Sequence, residues 1–342
     1  MSSAQPSPLA PEEIARDAHW LAQAMDPAAD VVRLIAMDRD AYRQASFLDD
    51  RMLQRPLTTQ LVPVQTVMSA VALEARRDAR WIFHIGHVGS TLVARLLGEL
   101  PNVLSVREPR LLRDITTVAA AHRSAFTDAA QALFSRTFAP EETALVKATS
   151  FVSEIAAELV PAGGGALFMY AAPRAYIASI LAGENSLHEQ RILAVSRGQR
   201  MAGRVQGLDS QQRSDAHLAA AAWACEMTSL EAAAAAMPDR QVAWLDFDRA
   251  LDAMGSELAR LAGFFGFAAN DRHIDAVVRG PLMSRYSKAL EYEYSPGLRR
   301  ELLAQAARAH GREIDDALAM LGRAAEKSPL LASALERAQA EI

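Results

Sequence analysis

Five short apolar runs, at residues 81–85, 103–106, 143–146, 166–170 and 242–247, alternate along this chain with longer segments of helical spacing. Runs of that length bounded by turn residues read as buried strands. Between them, apolar positions recur at helical spacing over 111–121, 124–138 and 175–202, the last broken near Gly183-Glu184-Asn185. The same spacing continues over 215–237 and 256–267, and from 296 to the end, where two helices are expected. Strands alternating with helices predict an α/β protein with one doubly wound, largely parallel sheet flanked by helices.

The first eighty residues follow a different rhythm. Residues 1–10 are rich in Ser, Pro and Ala and are expected to form a disordered tail. Pro11, Glu12 and Glu13 make a favourable helix start, and Ile14, Ala18, Leu21 and Met25 follow at helical spacing, which predicts a helix to about Met25 and a second over 28–37. Asp49, Asp50, Pro56 and Pro63 break the pattern over 47–63, read as a loop or ordered surface segment. The expected organisation is a helical N-terminal layer at 11–79, a core at 80–295, and C-terminal helices at 296–342.

Composition narrows the field. With 342 residues, 51% hydrophobic and 23% charged, the chain can bury a large core, and a formal net charge of -5 argues against nonspecific nucleic-acid binding. Cys225 is the only cysteine, which excludes an intrachain disulfide and a multi-cysteine metal site. No apolar run is long enough for a signal peptide or a membrane span, so a cytoplasmic protein is expected.

The candidate chemistry centres on residues 81–97, WIFHIGHVGSTLVARLL, which read as strand, loop and helix. Gly86 and Gly89 permit a tight turn at the sheet's carboxyl edge, and the helix that follows offers unpaired N–H groups and a positive dipole end. A phosphate or sulfate at Gly89, Ser90 and Thr91 is the expected occupant. The nucleotide-triphosphate loop places lysine directly after its last glycine, and here Ser90 stands there, which speaks against a kinase or ATPase.

The loop Gly86-His87-Val88-Gly89-Ser90-Thr91 resembles the phosphosulfate-binding loop of P-loop sulfotransferases, the PAPS-dependent type that includes bacterial and tyrosylprotein-sulfotransferase-like members. It departs from that pattern at His87, where the family has Lys or Arg. Later segments, ALVKATSF, ALFMYAAPRAYIAS and VAWLDFDRALDAMGSELARLAGFFGF, follow in the family's order, so the similarity spans about residues 80 to 267. The resemblance implies a P-loop-type sheet and an enzyme transferring a sulfuryl group from PAPS to a small-molecule or peptide acceptor, with no metal, nucleic-acid or membrane partner. It further implies Glu108 as general base, Lys147 as the lysine that stabilises the transition state, and His87 in place of the loop cation. Ser179 matches the serine that helps hold the donor's 3'-phosphate, but Ala171 occupies the family's arginine position. Arg285, Lys288 and, less directly, Arg174 are the cations available to replace it. Those two departures leave open a noncatalytic or repurposed phosphate-binding member of the fold.

Other polar clusters point less far. His188-Glu189 lacks the second histidine of a zinc motif, Ile192 standing in its place, and no G-x-S-x-G nucleophile turn occurs. His84 alternates with apolar neighbours and reads as a hydrogen-bonded core residue, while Glu108 could equally pair with Arg107, Arg110 or Arg113.

Overall fold

A computed structural model describes residues 9–72, 75–208, 214–285, 287 and 293–340. The core is a five-stranded, wholly parallel sheet of β4 (Arg80–His84), β5 (Val103–Arg107), β6 (Thr143–Lys147), β7 (Gly165–Tyr170) and β8 (Gln241–Asp246), in the order β5-β6-β4-β7-β8. Helices cover it on both sides, and β7 is buried along its whole length, which is why its sequence is continuously apolar instead of alternating. The chain leaves β4 toward β5 on one side, returns to β6, and then crosses to β7 on the other. That reversal puts the crevice of the sheet at the carboxyl ends of β4 and β6.

The helix Asp215–Ala235 is buried on nearly every face, because its alanines let the helices Pro173–Leu181, Glu184–Met201, Gly311–Ala325 and Pro329–Ala340 approach closely. Cys225 lies inside it, fully buried, and burial pushes its thiol up to about 12. Beyond residue 295 three helices form where two were expected: Pro296–Ala309, Gly311–Ala325 and Pro329–Ala340. Gly311 and Pro329 each open a new helix. No helix among the described residues is long and apolar enough to cross a membrane.

The N-terminal layer departs from the helical expectation. Pro11 does start a helix, but Pro11–Arg16 is only six residues long, and an antiparallel sheet follows: β1 (Trp20–Asp26), β2 (Val31–Ala36) and β3 (Thr59–Pro63), in that order. Trp20 to Met25 are all buried, so β1 shows no alternation, and its Leu, Ala, Gln and Met are good helix formers. The deciding signal is the turn between the two strands. Asp26 Oδ1 accepts from the N–H groups of Ala28 and Ala29, and Asp30 takes a left-handed conformation at φ 53°, reversing the chain where a helix would continue. Most of the expected tail, residues 1–8, lies outside the described residues.

Candidate functional site

The loop after β4 turns through left-handed conformations at Gly86 (φ 80°), His87 (φ 55°) and Gly89 (φ 61°), and Gly89 caps the helix Ser90–Gly98. Gly89 is sterically obligatory: a Cβ there would stand 1.9 Å from Cζ of Phe247, whose ring closes the back of the loop. Ser90 and Thr91 are buried at the helix start, and Thr91 Oγ1 has no hydrogen-bond partner among the described residues. An orphaned, buried hydroxyl at a helix N-terminus fits an anion as its missing partner.

Glu108 and Lys147 follow from adjacent strands. β5 and β6 pair Arg107 with Lys147, and one residue further the Glu108 N–H donates to the Lys147 carbonyl over 2.7 Å. Glu108 adopts φ 54°, a strained conformation for a side-chain-bearing residue, and this turns its carboxylate onto the Lys147 ammonium. Both are buried, at 7% and 1% exposure. Arg51 Nη2 stands 3.5 Å from Glu108 Oε2, and His84 Nε2 stands 3.9 Å from Glu108 Oε1. His84 is buried and hydrogen-bonded, as its apolar neighbours suggest, and it also lines the same cavity.

Arg107, Arg110 and Arg113 do not supply Glu108's partner. Arg107 turns inward, and its guanidinium donates to the carbonyls of Tyr42, Arg43 and Ala45, pinning the N-terminal layer to the core. Burial, and then nearby Arg95, pull it down to about 9. Arg110 pairs with Asp50 and Asp114. Arg113 stacks over Phe151 at 5.5 Å. The N-terminal layer instead delivers Arg51, stacked 3.3 Å over the Phe47 ring and held by Asp49 at 2.6 Å. Burial pushes the Asp49 carboxyl up, but hydrogen bonds and charge from Arg51 outweigh it and hold it below the usual carboxylate range. Neither Phe47 nor Arg51 carries a sequence signal, because both lie between turn residues in an irregular segment.

These groups open into one cavity of about 590 Å3 that reaches from Phe47 and Arg51, past the loop 86–91, to Ser179, Arg285 and Arg299. His87 lies on its wall, with Nε2 3.4 Å from Glu189 Oε2 and Nδ1 3.4 Å from Ser186 Oγ. Ser179 lines the cavity while its hydroxyl donates to the Tyr176 carbonyl. Arg174 does not join it: placed next to Pro173 on the first turn of its helix, it faces outward and pairs with Asp315. Arg285 lines the cavity, and Lys288 lies outside the described residues. Arg299, which no motif singles out, is 14% exposed, pairs with Asp248 at 2.6 Å and stacks 5.1 Å over Phe247, the ring behind Gly89. Among the described residues no group of three or more His, Cys, Asp or Glu side chains could hold a metal ion.

No protein-family model matches the sequence, and no curated protein matches it. Solved structures similar to the chain include two sulfotransferase domains and a sulfotransferase. The sulfotransferase domain from the curacin biosynthetic pathway is 12% identical with a TM-score of 0.44, covering 66% of this chain and 87% of its own. The sulfotransferase domain from the Synechococcus PCC 7002 olefin synthase is 12% identical with a TM-score of 0.38, covering 68% and 94%. Mouse sulfotransferase SULT7A1, solved with PAP, is 12% identical with a TM-score of 0.40, covering 78% and 91%.

Proposed function

We propose that this chain is a sulfotransferase that moves a sulfuryl group from PAPS to a hydroxyl of a small-molecule or peptide acceptor. One observation carries the reading. A carboxylate and an ammonium, Glu108 and Lys147, leave neighbouring strand ends and meet in the cavity that also holds the anion-binding loop.

The orphaned Thr91 hydroxyl and the amides of Ser90 and Thr91 suit the donor's 5'-phosphate. Bound there, PAPS supplies an activated sulfuryl group. Glu108 takes the acceptor's proton as the acceptor oxygen bonds to sulfur. Lys147 and the loop amides meet the negative charge that grows on the bridging oxygen as its bond to sulfur breaks. Arg285 and Arg299, which line the same cavity as Ser179, are the cations for the 3'-phosphate.

A second reading, a phosphate-binding protein without transfer activity, draws support from two departures. Ala171 has no side-chain donor, its carbonyl accepting from Trp223 Nε1, and the loop's His87 faces a carboxylate at Glu189. A thermal-shift panel of PAP, PAPS, ATP and GTP, with and without magnesium, tests the donor assignment, and a transfer assay with PAPS separates the two readings. Selective stabilisation by PAP without magnesium supports the donor assignment, and stabilisation by ATP only with magnesium overturns it.

A further inference from the structure

We propose that His84 is a positioning residue that takes over the Glu108 carboxylate when Lys147 turns toward the donor; this deepens the sulfuryl-transfer reading and rests on it. His84 closes β4, is 5% exposed and lines the cavity. Its Nδ1 accepts the Gly86 N–H at 3.0 Å. An imidazole that accepts at Nδ1 carries its proton on Nε2 when neutral, so the ring presents a donor there.

That Nε2 is 3.9 Å from Glu108 Oε1, the same oxygen that Lys147 Nζ contacts. The distance is too long for a hydrogen bond and exceeds one by about 1 Å. Two donors therefore compete for one carboxylate oxygen, with Lys147 holding it in the structure as it stands. As base and charge stabiliser, Glu108 and Lys147 cannot stay locked to each other. Any movement of Nζ toward the loop leaves Oε1 of the buried carboxylate without its partner, Arg51 facing only Oε2 at 3.5 Å, a costly state. A small swing of the Glu108 carboxylate onto Nε2–H relieves it and keeps the base aimed. Because the same ring holds the Gly86 amide, the loop's entry and the base's orientation are tied through one side chain.

The test needs no donor and no acceptor. Nitrogen-15 NMR of the ligand-free protein at pH 8 is expected to show His84 as the Nε2–H tautomer. Removing the competitor with Lys147→Met should shift the Nε2–H proton resonance downfield by at least 1 ppm, and adding Glu108→Gln should reverse most of that shift. A Nδ1–H tautomer, or an unmoved resonance in folded Lys147→Met, overturns the proposal. Should that variant fail to fold, His84→Asn and His84→Gln decide the matter. Asparagine can replace the acceptor for Gly86 but not the distal donor, whereas glutamine can supply that donor. Glu108→Gln is expected to cost more stability in the glutamine background, whose amide can donate to the carboxylate, than in the asparagine one, and equal costs overturn the role. PAP calorimetry on wild type is a separate arm: absence of binding defeats the donor reading and leaves the NMR result standing.

Discussion

The Glu108 amide donates to the Lys147 carbonyl over 2.7 Å while the side chains of the same two residues form an ion pair, so backbone and side chains are locked together at the end of β5 and β6. Breaking one half of a buried pair strands the other charge. Lys147→Met is expected to destabilise the protein by about 3 kcal/mol, at the lower end of the range for such pairs because Arg51 remains near Glu108. Glu108→Gln combined with Lys147→Met should recover much of that loss, since no charge of the pair is then left buried. Urea denaturation of the two single variants and the double variant measures the coupling; strictly additive losses would refute it. In a transfer assay Glu108→Gln should lower turnover at least a hundredfold and change PAP affinity little.

The five strands of the parallel sheet were legible because each is a short apolar run between turn residues, and the loop 86–91 because its glycines and hydroxyls follow one of them. The N-terminal sheet was not legible, since β1 is buried on both faces and built of helix-forming residues. The far end of the cavity was half legible. Ser179 and Arg285 reach the cavity, but Arg299 arrives from the helix Pro296–Ala309 with no local pattern to mark it. His84 was obscured by its apolar neighbours, because strand alternation describes which face a residue occupies and says nothing of what lies at the strand's end.

Gly89 gives a test of the loop itself. Gly89→Ala meets both a left-handed φ of 61° and the Phe247 ring at 1.9 Å. Strain of about 1 to 2 kcal/mol from the backbone adds to about 1 to 3 kcal/mol from overpacking. Phe247 is buried, so Phe247→Ala alone should cost about 3 to 5 kcal/mol; the double variant should lose less than the sum of the two single losses, because the clash is relieved, and still bind PAP weakly. A Gly89→Ala protein with unchanged thermal midpoint and PAP affinity would remove the loop from the site.

Stability in acid should depend on Glu154, which receives Arg200 at 3.0 Å and Arg204 at 2.6 Å and so ties the segment after β6 to the helix Glu184–Met201. Burial raises the Glu154 carboxyl, but the hydrogen bond from Arg204 and the charges of Arg200 and Arg204 outweigh it, leaving it below the ordinary value. A carboxyl lowered by folding adds stability that is complete above its unfolded value, about 4.3, and is lost as the pH falls through the folded one. Glu154→Gln should therefore be less stable than wild type at pH 7 and converge on it toward pH 3. A constant gap between the two urea midpoints across that interval would show that the carboxyl is not linked to folding.

Discrimination between PAP and AMP tests the far end of the cavity, because the two ligands differ only in the 3'-phosphate. Ser179 offers a hydroxyl already donated to the Tyr176 carbonyl, and Arg174 is engaged with Asp315 outside the cavity, which leaves Arg285 and Arg299 lining it among the described residues on that side. Arg299 is the stronger candidate, since Phe247 and Asp248 fix its direction whereas Arg285 is exposed. A charge-assisted hydrogen bond contributes about 1.5 to 3 kcal/mol, so Arg299→Ala should reduce the preference for PAP over AMP by ten- to a hundredfold and leave AMP affinity within about threefold. Arg285→Ala should have a smaller effect in the same direction. Calorimetry with both ligands on the three proteins decides it: equal affinity for PAP and AMP in wild type would mean that no 3'-phosphate site exists, and the phosphate-binding reading would then replace sulfuryl transfer.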